Sequence, residues 1–273
     1  MNKNIWLTIK LVLLILTLLI IGSVAILAIN YSGFKKVTIV EGEEKKFSNV
    51  EKVVVESISL PVDIYESDVA QVTIKDNSKV FGLRTRNPNK VEQKGGVLYF
   101  EQAKGFSFLS FAIGNVVIEV PRDSILEYEI NSVSGSINHD VISKDKMMVS
   151  SISGSIRIHQ GGEKAIIKTT SGSVRIYSPF EEVSAKSVSG SIRIVANQDS
   201  KQVLSSSVSG SIRIQLENVL GYDMDYSTVS GNVKDAYKNI NYSKSGESKS
   251  GDSSLEIKAT SVSGSIKLED WDN

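Results

Sequence analysis

Cysteine is absent from all 273 residues. That excludes a disulfide scaffold, a thiolate metal site, a cysteine nucleophile and a lipid-modified N-terminal cysteine. Proline is scarce at 4, which suits long runs of paired strands, and histidine is scarcer at 2. Net charge is missing too. Lys+Arg 31 balance Asp+Glu 31, so bulk electrostatics offers nucleic acid nothing, and any electrostatic function must come from local clustering. Glycine-rich phosphate loops, calcium loops and the G-x-S-x-G elbow are all missing. What remains is an ordinary folded composition, 41% hydrophobic and 23% charged, which argues against an extended disordered chain.

One apolar run is long. Leu11 to Ile29 reads LVLLILTLLIIGSVAILAI without a charge. At about 1.5 Å per residue it roughly matches the ~30 Å hydrocarbon core of a bilayer as a helix. Trp6 stands where an interfacial anchor belongs, and Lys10 can snorkel to the headgroups. A cleavable signal peptide with Ser23-Val24-Ala25 as its cleavage site is the rival, but the run exceeds the usual ~7–15 apolar residues of such peptides. Lys3 and Lys10 precede the run while Lys35, Lys36, Lys45 and Lys46 follow it, so positive charge does not favour a cytoplasmic N-terminus. The short leading tail and the long following domain do favour it. The expectation is a cytoplasmic tail at 1–10, a transmembrane helix at 11–29, a linker at 30–46 and an extracytoplasmic domain at 47–273.

Within that domain a repeat dominates. Ser-Gly followed by Ser or Asn recurs at Gly135, Gly154, Gly172, Gly190, Gly210, Gly231 and Gly264, spaced by 19, 18, 18, 20, 21 and 33 residues. The last interval holds KSGESKSGDSS, whose Gly/Ser/Lys composition predicts a mobile loop over 244–254. Counted from each glycine, apolar residues recur at minus seven, minus five, minus two, plus two and plus four, with His139 and Asp235 as exceptions at plus four. Alternation at period two marks half-buried strands. The phase slips between minus five and minus two, which predicts a bend there that returns the minus-two residues (Val133, Ile152, Thr170, Val188, Val208, Val229 and Val262) to the interior.

One such strand–corner–strand unit cannot bury its own apolar face, whereas stacked units bury a continuous column. The inward glycine then fits where coils crowd. A hairpin sandwich would need Asn-Gly or Asp-Gly turns, which these repeats lack. The predicted fold is all-β: a parallel β-solenoid (β-helix) of about seven coils over 122–273, entered through an irregular β layer at 47–121 and preceded by one transmembrane helix. Gly105 to Phe111 (GFSFLSF) reads as a loop folded onto the core.

VVIEVP (Val116 to Pro121), followed by a short strand and repeated S-x-SG-S-I, resembles a bacterial domain-of-unknown-function family with β-strand repeats known by the label "putative adhesin". Some of its members are membrane-anchored products of cell-envelope stress operons in Gram-positive bacteria. The resemblance covers roughly Phe47 to the C-terminus. It implies an extracytoplasmic β-solenoid at the envelope, and it brings no catalytic residues.

A search for chemistry yields little. His139 and His159 fall near strand ends as solvated or partly buried residues, and His139 and Asp140 point to opposite faces. The minus-one serine is present in every copy, so it serves the coil and not one active site. The acids scatter through return loops instead of clustering as a polysaccharide-cleaving site requires. No cofactor and no metal are implied, and the chain reads as a protein that binds, not an enzyme.

One polar column stands out at plus three: Asn138, Arg157, Arg175, Arg193, Arg213, Lys234 and Lys267, on the outward phase. Stacked in register, the arginines lie about 4.8 Å apart, and such like charges destabilise unless something offsets them. Salt, serine hydroxyls and guanidinium stacking are one answer. A stripe that binds an anion through forked donors is the other. The expected function is a membrane-anchored envelope protein that binds, senses or scaffolds. Its partners are an anionic envelope polymer, lipid headgroups or another envelope protein. Adhesion to an external surface is the alternative, and polysaccharide cleavage carries the least support.

Overall fold

Alternating apolar residues that cannot all face one interior alone find it by stacking. A computed structural model describes residues 43–81, 89–102, 111–236, 238–242, 244–252 and 254–271. The expected tail, membrane helix and most of the linker lie outside these residues, as does most of the loop at 105–111. The described chain is all-β, with two large sheets of 11 and 12 strands facing each other across one core.

Each glycine repeat contributes one strand to each sheet. In the Gly190 layer, Phe180–Ser187 lies in the first sheet and Ile192–Asn197 in the second. Like strands of neighbouring layers pair in parallel and in register, so Val174, Ile192 and Ile212 stack at plus two. Minus seven and minus five form the matching columns of the first sheet, led by Tyr128 over Met147 and Ile130 over Val149. These columns are buried throughout, which makes the architecture β-solenoid-like.

The corner differs from the expected one. The minus-two residues face outward: Val133, Ile152, Val188, Val208, Val229 and Val262 are all substantially exposed. The inward residue is one earlier, at minus three, and is always Ser or Thr: Ser132, Ser151, Thr169, Ser187, Ser207, Thr228 and Ser261. The strand keeps its phase through minus three, and the break falls between there and the glycine. A buried hydroxyl needs a partner, and in five layers the glycine amide supplies it, as in Gly190 N–H to Ser187 Oγ at 2.8 Å and Gly210 N–H to Ser207 Oγ at 2.9 Å, while Ser132 Oγ donates to the Gly135 carbonyl.

The glycines form a ladder of their own. A Cβ on Gly190 would sit 1.8 Å from the carbonyl oxygen of Gly172, and one on Gly172 would sit 2.0 Å from that of Gly154. No side chain fits such an approach, which is why glycine recurs at this position.

Layer order in space departs from chain order at both ends. The last repeat inserts between the fifth and sixth: Leu255–Ser261 pairs with Gln202–Ser207 on one side and Tyr222–Thr228 on the other. The Gly231 layer is therefore the terminal one. At the other end, Lys52–Ser57 and Val62–Ser67 form an inner layer beneath Gly135, and Val97–Gln102 with Val116–Pro121 an outer one. The region expected to be irregular thus continues both sheets without the glycine motif.

Open parallel edges invite further pairing, and each is closed by an antiparallel strand. Asn89–Lys94 and Val72–Asp76 cover one end, with Glu44–Phe47 outside the latter. Ser245–Ser250 and Ile240–Tyr242 cover the other. The stretch expected as a mobile loop over 244–254 is therefore largely a capping strand. Both C-terminal caps come from residues between the sixth and seventh motifs, so the seventh layer must return inside them.

Candidate functional site

The Ile-Arg-Ile triplets set the geometry of the outer face of the second sheet. Ile192 and Ile194 are buried, so Arg193 between them must point out. Cα pairing joins Asn138 to Arg157, Arg157 to Arg175, Arg175 to Arg193, and Arg193 to Arg213. Lys267 follows Arg213, and Lys234 comes last, the reverse of their chain order, because of the inserted layer. Six cations thus share one column, and the four arginines span about 14 Å at the usual strand spacing.

The column is not uniform. At one end Asn138 Nδ2 donates to Asp63 at 2.6 Å, and Arg157 Nη1 donates to Asn138 Oδ1 at 3.5 Å. At the other end Glu269, only 3% exposed, lies 3.3 Å from Arg213 Nε and also pairs with Lys267. Among the described residues, Arg157, Arg175, Arg193 and Lys234 have no acidic partner, and Arg157 has only the neutral Asn138 amide. Glu269 went unnoticed in the sequence because its relation to Arg213 is made by the inserted last layer.

Beside the arginines, at plus five, the rings of His159 and Tyr177 stack at 4.9 Å with a 12° interplanar angle. Small serines at plus one border the other side. The arrangement is a cationic, solvent-facing strip with an aromatic step.

His139 is not at a solvated strand end. It occupies the plus-four core column between Ile64 and Ile158, fully buried, and meets the Tyr128 ring edge-on at 4.5 Å. Burial alone lowers its pKa to about 3, while burial, with the Glu66 carboxylate nearby, pushes the Tyr128 phenol up. Asp235, the other polar residue at plus four, is also buried and accepts hydrogen bonds from Tyr222, from Ser248 at 2.9 Å and from the Lys238 amide at 3.0 Å. It organises the C-terminal cap. Among the described residues, no group of three His, Asp or Glu gathers to hold a metal.

Fold and face define a β-solenoid-like repeat protein with an elongated cationic surface. A family model, Toastrack DUF4097, matches residues 128–269, just over half of the chain, and the chain belongs to that family. Several solved structures are similar in outline. A "putative adhesin" from Bacteroides fragilis is 12% identical with a TM-score of 0.43, covering 85% of this chain and 98% of that one. A "putative cell adhesion protein" from Clostridium sporogenes is 12% identical with a TM-score of 0.34, covering 84% and 99%. A "putative lipid binding protein" from Parabacteroides distasonis is 16% identical with a TM-score of 0.36, covering 84% and 96%. No curated protein matches the chain by sequence.

Proposed function

We propose that this chain is a binding protein of the cell envelope. Residues 11–29 hold it in the membrane, its repeat domain lies outside the cytoplasm, and the arginine column contacts an anionic wall polymer or lipid headgroups through their shared phosphate chemistry. The observation that carries this reading is the run Arg157, Arg175 and Arg193, stacked in register without an acid, while Glu269 pairs with the next two cations, Arg213 and Lys267. Guanidinium groups one strand apart repel each other, and a phosphate bridging them offsets that repulsion through paired, charge-assisted hydrogen bonds.

The test compares the full chain in detergent with a variant carrying Arg157→Gln, Arg175→Gln, Arg193→Gln and Arg213→Gln. Poly(glycerol phosphate) and vesicles containing anionic lipid serve as separate ligands and tell the two phosphate sources apart. Wild-type binding to one of them should fall as salt rises, since exposed contacts are screened over a ~10 Å Debye length at 0.1 M. The variant should bind about tenfold more weakly or worse. Equal binding by both proteins at low salt overturns the anion reading and leaves adhesion or protein scaffolding. For the anchor, protease added to wall-stripped cells should digest the repeat domain. Protection would refute the orientation, and soluble domain in the medium would refute the anchor.

A further inference from the structure

The outer face of the first sheet, on the opposite side from the arginines, carries a different pattern. Its minus-four column, followed through space, reads Glu101, Glu56, Asn131, Ser150, Lys168, Lys186 and then the uncharged Ser206, Thr260 and Ser227. Among the described residues none of the four charged side chains has an ion-pair partner, and both glutamates and both lysines are exposed. Like charges therefore stand side by side at each end of the charged stretch, which destabilises an isolated sheet. Read backwards, the stretch from Glu101 to Lys186 is its own electrostatic complement.

Beside it runs the minus-two ridge. Val133, Ile152 and Val188 are 43%, 51% and 48% exposed. Thr170 shows that a polar residue serves at this bend. Six of the seven repeats nonetheless place an apolar side chain in water there. A groove of about 550 Å³, lined by Asn131, Val133, Ser150 and Ile152 among others, lies midway along the charge pattern.

We propose that this face binds a second copy of the chain, related by a two-fold axis parallel to the strands and passing between the Asn131 and Ser150 layers. That axis reverses the layer order, so Glu101 meets Lys186 of the partner subunit and Glu56 meets the partner's Lys168. Symmetry repeats both pairs, giving four ion pairs from one pattern. The ridges meet lengthwise over the groove. A two-fold axis parallel to the stack would instead set glutamate against glutamate and lysine against lysine, so the charges select one arrangement. Lys90, on the edge strand beside Glu101, is already held by Glu92 at 2.8 Å and leaves the pattern intact. The arginine face remains outward on both copies.

The test weighs the full chain in nonionic detergent by light scattering at low salt and micromolar concentration. Wild type should give two chains per particle. Glu56→Lys/Glu101→Lys and Lys168→Glu/Lys186→Glu, each alone, should raise the dissociation constant about tenfold or more, with unchanged circular dichroism because all four positions are exposed. Mixing the two variants should restore paired particles containing one of each. The absence of cysteine allows a second readout. Glu56→Cys and Lys168→Cys chains should form a mixed disulfide on oxidation, whereas Glu56→Cys chains alone should not link. A monomeric wild type, pairing that survives either charge reversal, or failure of the mixture to pair overturns the interface. Polymer binding by the arginine face is measured separately and stands or falls alone.

Discussion

His139 makes the fold measurably sensitive to mild acid. Its ring lies wholly inside the solenoid between Ile64 and Ile158, in a T-shaped contact with Tyr128, and desolvation is the one cause of its shift. A folded-state pKa of about 3 against 6.5 for the free side chain means that the unfolded chain takes up a proton the folded chain refuses. The stabilisation from keeping His139 neutral is fully present above pH 6.5 and is lost as pH falls through that value, levelling out only near the folded pKa. At about 1.4 kcal/mol per unit, the loss between pH 7 and pH 5 is about 2 kcal/mol. His139→Leu removes the titrating group while keeping an apolar filler in an apolar column. Urea unfolding of the full chain in detergent, followed by circular dichroism, should show wild type losing about 2 kcal/mol more than the variant across that interval. Glu119, whose carboxyl Lys75 holds below its usual range, contributes stability that disappears only at lower pH and equally in both proteins. Parallel pH dependence of the two proteins would refute the reasoning, because a histidine open to water has nothing to lose.

Three further outcomes follow from the packing. Ile192→Asp places an unpaired charge in the plus-two column and should cost several kcal/mol, whereas Val188→Asp, four residues earlier on the exposed ridge, should change the melting temperature little. Equal effects of the two would show that the corner is misassigned. Gly190→Ala drives a methyl to 1.8 Å from the Gly172 carbonyl oxygen, so layers must part; chemical denaturation should show a clear loss of stability, and wild-type behaviour would contradict the ladder. Asp235→Ala strips the acceptor shared by Tyr222 and Ser248 and should cost about 1–3 kcal/mol. Limited proteolysis should then cut first between Ala236 and Ser254, and cleavage elsewhere would deny the cap its role.

Much of this molecule was legible in a single dimension. Seven copies of a glycine motif with period-two flanks determine parallel stacking, because register-matched units have no other way to bury identical apolar columns. The outward phase of Arg157, Arg175, Arg193 and Arg213 follows from the buried isoleucine or valine on either side of each, and the family resemblance rests on the same motif. The corner was misread for a physical reason. Hydrophobicity alone put the minus-two valines inside, but a serine or threonine one residue earlier takes the interior place, in five layers accepting the glycine amide there, and the minus-two residue is turned out.

Layer order was never in the sequence pattern, since identical repeats fit any neighbour equally well. Only closure of the sheet edges decided that the last layer inserts inside the sixth. That insertion in turn brought Glu269 to Arg213 and Lys267 and left Arg157, Arg175 and Arg193 as the run without an acid. The Glu101-to-Lys186 pattern is likewise invisible along the chain, because its residues come from six strands and become adjacent only when the layers stack. Period and composition determined what each layer is. Which layers touch, and which charges therefore meet, belongs to the tertiary structure, because contacts between layers are set by edge closure and not by the repeat itself.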